Sequence, residues 1–272
     1  MFLHFKSFIL TTSLVLGSVF GIFAQAIAPQ ATPAKEEKKD NKSAGNSLTA
    51  EQVAEFTVLI YGRLVGGREG LKQIRKTAVE RGKMTLINGD GTRETANYEM
   101  RTTRGESLDK EKIRLDQEFP SSKYALIYTD NKIIGLFNDS FFTPREDTSK
   151  AFQNQIWRGI EALLRYKENG ATIALLGKEK YMGAEYNVLE LTDKEERKTK
   201  FFISARSFRV MWLEYTENEV KYQKKFYDYR ESQGTLVPYR TVLFGNGKQI
   251  EEINISTVTY GQKIEDTIFQ TS

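Results

Sequence analysis

Apolar residues change their period along this chain, and each change predicts an element. Val53, Phe56, Ile60 and Leu64 recur at helical spacing behind Thr49 and Gln52, a capping-box pair, so a helix is expected over about 50–64. Gly66-Gly67 ends it, because glycine accepts the left-handed conformation of a helix C-cap, and Arg68 to Arg75 add a short second helical segment. The run Gly66-Gly67-Arg68-Glu69-Gly70 lacks the Lys-Ser/Thr of a phosphate loop and reads as structural.

From Lys76 the period becomes two, and apolar-polar runs alternate with turn chemistry, the mark of antiparallel hairpins. Strands are expected at about 79–86 and 92–101 around Asn88-Gly89-Asp90-Gly91, then at 109–119, 123–129 and 132–137, with Asp130-Asn131 as a tight turn. Phe152, Ile156, Ile160 and Leu163 then form one stripe, which predicts a second long helix over about 148–168, stopped by Asn169-Gly170. Strands resume at about 171–178, 184–192, 197–204, 208–217, 219–229, 236–244 and 248–260.

About twelve strand segments in sequential hairpins argue against a parallel nucleotide-binding sheet. That many flat strands would expose edges and a wide apolar face. The expected fold is therefore α+β: a strongly curved antiparallel sheet, a half-open β-barrel of about eleven or twelve strands, covered by two or three helices.

The N-terminus follows a different pattern. Lys6, the acid-free apolar run from Phe8 to Phe23, and the small residues Ala24 and Ala26 form the three parts of a secretory signal peptide, with cleavage expected after Ala26. The competing reading is an uncleaved membrane anchor. Residues 27–46 shift to Ala, Pro, Lys, Glu, Asn and Ser and are expected to form a flexible charged linker, which leaves 47–272 as a single domain.

Composition narrows the chemistry. The 272 residues include no cysteine, so disulfides, thiolate nucleophiles and cysteine-bound metals are excluded. The single histidine, His4, lies in the segment expected to be removed, and histidine-based triads and ordinary catalytic zinc sites go with it. No metal site and no cofactor is expected. Losing Lys6 would change 40 basic residues to 39 against 36 acidic ones, so the net charge falls from +4 to +3 with interleaved signs. A dominant nucleic-acid partner is not implied.

Four local strings stand out: Leu64-Val65-Gly66-Gly67-Arg68-Glu69, Tyr166-Lys167-Glu168-Asn169-Gly170 with Gly177-Lys178-Glu179, Tyr227-Asp228-Tyr229-Arg230 leading to Leu236-Val237-Pro238-Tyr239-Arg240, and Ile264-Glu265-Asp266-Thr267-Ile268-Phe269. Together they resemble the periplasmic lipoprotein-sorting family typified by the carrier LolA and its relatives. The resemblance covers most of 47–270. It implies a half-open barrel closed by helices around an apolar cavity for acyl chains, and it implies no catalysis. The carrier's opening is controlled by a cavity arginine, but no one arginine here aligns with it, so that role is not carried over. The absence of cysteine sets the chain apart from the membrane-anchored acceptor of that family.

Candidate cavity residues follow from strand alternation and the second helix: Tyr124, Leu126, Tyr128, Ile133, Phe137, Met211 and Leu213 from strands, and Phe152, Ile156, Ile160 and Leu163 from a lid-forming helix. An ordinary core requires the same residue types, and the sequence does not separate the two. The basic-aromatic run Lys221 to Arg230 alternates as a partly exposed strand, with Tyr222, Lys224, Phe226 and Asp228 on one face and Gln223, Lys225, Tyr227 and Tyr229 on the other. Glu195-Glu196 and Glu251-Glu252 read as solvated charges, since adjacent strand residues face opposite ways.

The expected function is that of a periplasmic, non-enzymatic carrier that shields acyl chains of a lipoprotein or lipid, with envelope donor or acceptor proteins and transient membrane-surface contact. The alternative is an interaction or sensor module that uses the same fold without carrying lipid. A carboxylate- or lysine-based enzyme would require a polar cleft that the sequence does not locate.

Overall fold

The computed structural model describes residues 48–270. The expected cleavage after Ala26 and the linker over 27–46 lie outside the described residues.

Helix α1 (Ala50–Tyr61) starts at the expected capping box. Thr49 Oγ1 accepts the Gln52 amide at 3.2 Å, and Gln52 Oε1 accepts the Thr49 amide at 2.9 Å. The helix stops at Gly62, short of the expected Leu64, and α2 (Gly67–Ile74) follows.

The strands form one 13-stranded antiparallel sheet. Its first meander comprises β1 (Thr77–Ile87), β2 (Arg93–Thr103), β3 (Lys112–Glu118), β4 (Lys123–Thr129), β5 (Lys132–Phe137) and β6 (Ser140–Phe142). The second comprises β7 (Thr172–Tyr181), β8 (Ala184–Thr192), β9 (Lys198–Ser204), β10 (Val210–Glu217), β11 (Val220–Ser232), β12 (Thr235–Gly245) and β13 (Lys248–Tyr260). Pairing of β1 with β13 joins the two meanders, while β6 and β7 remain as edges, so the barrel is half-open. Turn residues keep consecutive strands adjacent. Asp130-Asn131, Asn218-Glu219 and Asn246-Gly247 all hold positive φ, the geometry that matches a two-residue hairpin to the right-handed strand twist.

Register breaks bend the sheet. One lies at Arg81/Gly82 in β1, opposite β13. A Cβ on Gly82 would stand 2.2 Å from the Asn254 carbonyl oxygen, so only glycine lets the two backbones approach there. Further breaks fall at Leu175/Gly177, Val210/Trp212 and Leu243/Phe244. In β11, Asp228 takes a φ of 52°, and beyond it Tyr229 turns inward to bond Tyr61, whereas Asp228 is exposed. The alternation expected to put Asp228 on the Phe226 face therefore fails at this residue.

The expected long helix is two helices, α3 (Glu146–Trp157) and α4 (Ile160–Leu164). Gly159 is extended, with φ −92° and ψ 177°, and breaks the rod. The Arg158 guanidinium donates to Asn154 Oδ1 at 2.9 Å and to the Lys198 carbonyl at 3.0 Å, tying the break to the sheet. The stripe persists across it but divides its work. Phe152 and Ile156 pack over β1–β4 with Met84, Leu115, Leu126 and Tyr128, while Ile160 and Leu163 pack with α1 over β8–β12 among Leu189, Phe201 and Leu213. A C-terminal 3₁₀ turn (Asp266–Phe269) packs on β3 and β4 and is held by Arg114 Nη1 donating to the Ile268 carbonyl at 3.2 Å.

Candidate ligand cavity

Between the sheet and α3–α4 lies a cavity of about 230 Å³. Its wall is mostly apolar. Met84, Met100, Ile113 and Leu115 come from β1–β3, Phe226 and Ile253 from β11 and β13, and Phe152, Ile156 and Ile160 from the helices. Strand parity explains the convergence: Met84 pairs with Ile253, which pairs with Thr241, which pairs with Phe226, so all four share the inner face.

The eleven residues expected from sequence separate into groups. Phe152, Ile156 and Ile160 line the cavity. Tyr124, Leu126, Tyr128 and Ile133 belong to the packed cluster beneath α3 without lining it. Leu163 and Leu213 are fully buried in the cluster around α1 and α4. Met211 falls at the Val210/Trp212 register break and is half-buried. Phe137 is 45 % exposed at the end of β5. Beside it, Gly135 leaves room for the Phe142 ring of the edge strand, which a Cβ would meet at 2.2 Å.

One end of the cavity is charged. Arg75 and Arg104 line it together with Glu111 and Glu161, and Arg75, Arg104 and Glu161 also line a separate cleft of about 700 Å³ beside α2, most of whose lining residues are charged. Arg75 donates to Glu161 Oε1 at 2.5 Å, Arg104 reaches Glu161 at 3.2 Å and Glu111 at 3.2 Å, and Arg165 also pairs with Glu111. Burial works against the Glu161 carboxylate, but the charges of Arg104, Arg75 and Arg165 outweigh it and hold its pKa down to about 2. Glu111, 2 % exposed, goes the other way: burial outweighs its two arginines and raises its pKa. Through Arg75, Arg104 and Glu161 this network borders both the cavity and the cleft.

A second set of polar groups sits among the apolar residues, and sequence reasoning missed it. Glu80, Tyr98, Gln155 and Lys224 line the cavity; Glu80 accepts the Tyr98 hydroxyl at 2.6 Å, and Gln155 donates at 3.2 Å to Glu251, which is not itself a lining residue. Glu251 is 8 % exposed, so the expectation of a solvated charge fails for it, whereas its neighbour Glu252 bonds Arg240 on the other face. The available signal was parity: Glu251 pairs with Leu86 and Leu243, and Lys224 pairs with Leu213.

Burial raises the Glu251 pKa above its ordinary 4.5, so the ionised carboxylate opposes folding at neutral pH. A folded state that holds this proton more tightly than the unfolded chain gains stability as pH falls from the folded pKa to 4.5. Glu251→Gln, which keeps an acceptor for Gln155, is expected to be more stable than the parent above the folded pKa and equal to it below 4.5. Urea melts across that interval check this, and an advantage that persists in acid would contradict it.

Neither a protein-family model nor a curated protein sequence matches this chain. Solved structures do match. A DUF1329 family protein from Desulfovibrio piger superposes with a TM-score of 0.60 at 12 % identity, over 82 % of this chain and 98 % of that one. A LolA superfamily protein from Nitrosomonas europaea gives 0.60 at 14 %, over 83 % and 99 %. A putative outer membrane lipoprotein-sorting protein domain from Vibrio parahaemolyticus gives 0.57 at 15 %, over 79 % and 97 %. With its half-open antiparallel barrel and covering helices, this chain has the LolA-like fold.

Proposed function

We propose that this protein is a non-enzymatic carrier or binding protein of the bacterial envelope, exported to the periplasm by removal of residues 1–26, that shields an acyl chain of a lipoprotein or lipid. The observation that carries this reading is the apolar cavity under α3 and α4, enclosed by the same fold as a lipoprotein-sorting domain. Burying hydrocarbon contributes about 0.8 kcal/mol per CH₂, so about eight methylenes, roughly what 230 Å³ accommodates, supply about 6 kcal/mol before entropic costs.

Mass spectrometry of the purified protein, intact and after organic extraction, is expected to show a chain beginning at Ile27 and a copurified lipid. A fluorescent acyl probe is expected to bind saturably with equal affinity at low and high salt, because burial of hydrocarbon involves no phosphate neutralisation. Absence of saturable binding at either salt concentration would remove the carrier reading. It would favour the alternative, an interaction or sensor module for envelope proteins. Phe56, Leu59 and Leu64, exposed by 38 %, 50 % and 58 % in and just after α1, are the observation that supports this alternative.

A further inference from the structure

The charged groups in and just behind the cavity wall do not all balance. At its end, Glu111 and Glu161 are matched by Arg75, Arg104 and Arg165. Away from that end, Glu80 lines the cavity and Glu251 lies outside its lining, bonded to the lining residue Gln155; the two carboxylates have one cation between them, Lys224. Its positive charge acts on both carboxylates, with no direct ion pair to either among the described residues. The neutral donors are also accounted for: Tyr98 donates to one oxygen of Glu80, and Gln155 to one oxygen of Glu251. A chain that fills the apolar part of the cavity would expel water from this region and strengthen every uncompensated charge.

We propose that the ligand is an amphiphile whose head group carries a protonated amine, with its chain against Met84, Leu115 and Ile156 and its ammonium against Glu80, within the field of Glu251. This specificity rests on the carrier reading. An ammonium supplies the second cation for two carboxylates, whereas a ligand carboxylate would add a third negative charge beside Lys224. Burial raises the pKa of both Glu80 and Glu251, the behaviour of carboxyls whose countercharge is incomplete.

The test is displacement of a fluorescent acyl probe from the purified protein by dodecylammonium, dodecanoate and dodecanol, each below its aggregation concentration. Dodecylammonium is expected to displace the probe at a concentration at least about tenfold lower than the other two. Glu80→Gln combined with Glu251→Gln is expected to bring the three within about threefold of one another. Ethylammonium, which has the charge without the chain, is expected to displace nothing. Because the comparison on the unaltered protein is decisive by itself, a poorly folding variant does not blunt it. Equal displacement by all three dodecyl compounds would overturn the head-group assignment while leaving the carrier reading intact. Tighter binding of dodecanoate would overturn it in favour of an anion held by Lys224, and displacement by ethylammonium would show a cation site independent of lipid. No binding of any dodecyl compound or of the probe would overturn the assignment together with the carrier reading.

Discussion

Glu161→Ala is expected to lower the free energy of unfolding at neutral pH by about 3–5 kcal/mol, the range for removing one partner of a buried ion pair. The substitution leaves Arg75, 6 % exposed, and Arg104 facing each other, with Glu111 shared between Arg104 and Arg165. The pKa supports the size: a fall from 4.5 to about 2 corresponds to about 3 kcal/mol of preferential stabilisation of the ionised form. Because the folded pKa is depressed, this contribution is complete above 4.5 and is lost as pH falls toward 2. The gap between Glu161→Ala and its parent is therefore expected to close over the same interval. Glu161→Gln, which still offers an acceptor to Arg75, is expected to cost less. Urea denaturation at neutral and acidic pH measures all three, and a neutral-pH difference below about 1 kcal/mol would show the network to be solvated rather than buried.

This network also marks what a one-dimensional reading reaches. Turns were legible because their chemistry is local: Asp130-Asn131 and Asn246-Gly247 announce positive φ, and the hairpins around them fall where expected. The capping box at Thr49 was legible for the same reason. Arg75, Arg104, Glu111, Glu161 and Arg165 converge from α2, the β2–β3 connection and the segment around α4, and no spacing along the chain signals their meeting. Strand β6 escaped notice because its three residues are too short to show a period, although Asn138-Asp139 before it carry turn geometry. The continuous stripe from Phe152 to Leu163 hid the break at Gly159, since two short helices in sequence can present the same positions that one long helix would. Glu80 and Glu251 were missed because a charged residue in a strand ordinarily faces water, and only pairing with apolar neighbours, Met100 for Glu80 and Leu243 for Glu251, shows otherwise.

The residues expected to line the cavity include two kinds of position, and they are expected to respond in opposite ways to truncation. Ile156 and Ile160 are 7 % and 9 % exposed and line the cavity, so part of their surface faces it rather than other side chains. Leu213 is fully buried, packed with Leu163, Phe201 and Ile203 from strand and helix alike, and does not line the cavity. Leu213→Ala is expected to cost about 2–5 kcal/mol of stability, the transfer and cavity cost of a packed core leucine, with acyl-probe affinity unchanged. Ile156→Ala combined with Ile160→Ala is expected to cost less than that per site, because it widens a space that already exists. It should nevertheless weaken the probe by about tenfold or more, through lost contact with several methylene groups. Gly159 sits between the two isoleucines as an extended link, so the cover over the cavity is two short helices rather than one continuous rod. Denaturant melts and probe titrations on the same preparations read both quantities. A large stability loss at Ile156 and Ile160 with unaltered probe affinity would reassign them to the packed core, and α3–α4 would then be a fixed cover rather than a lid.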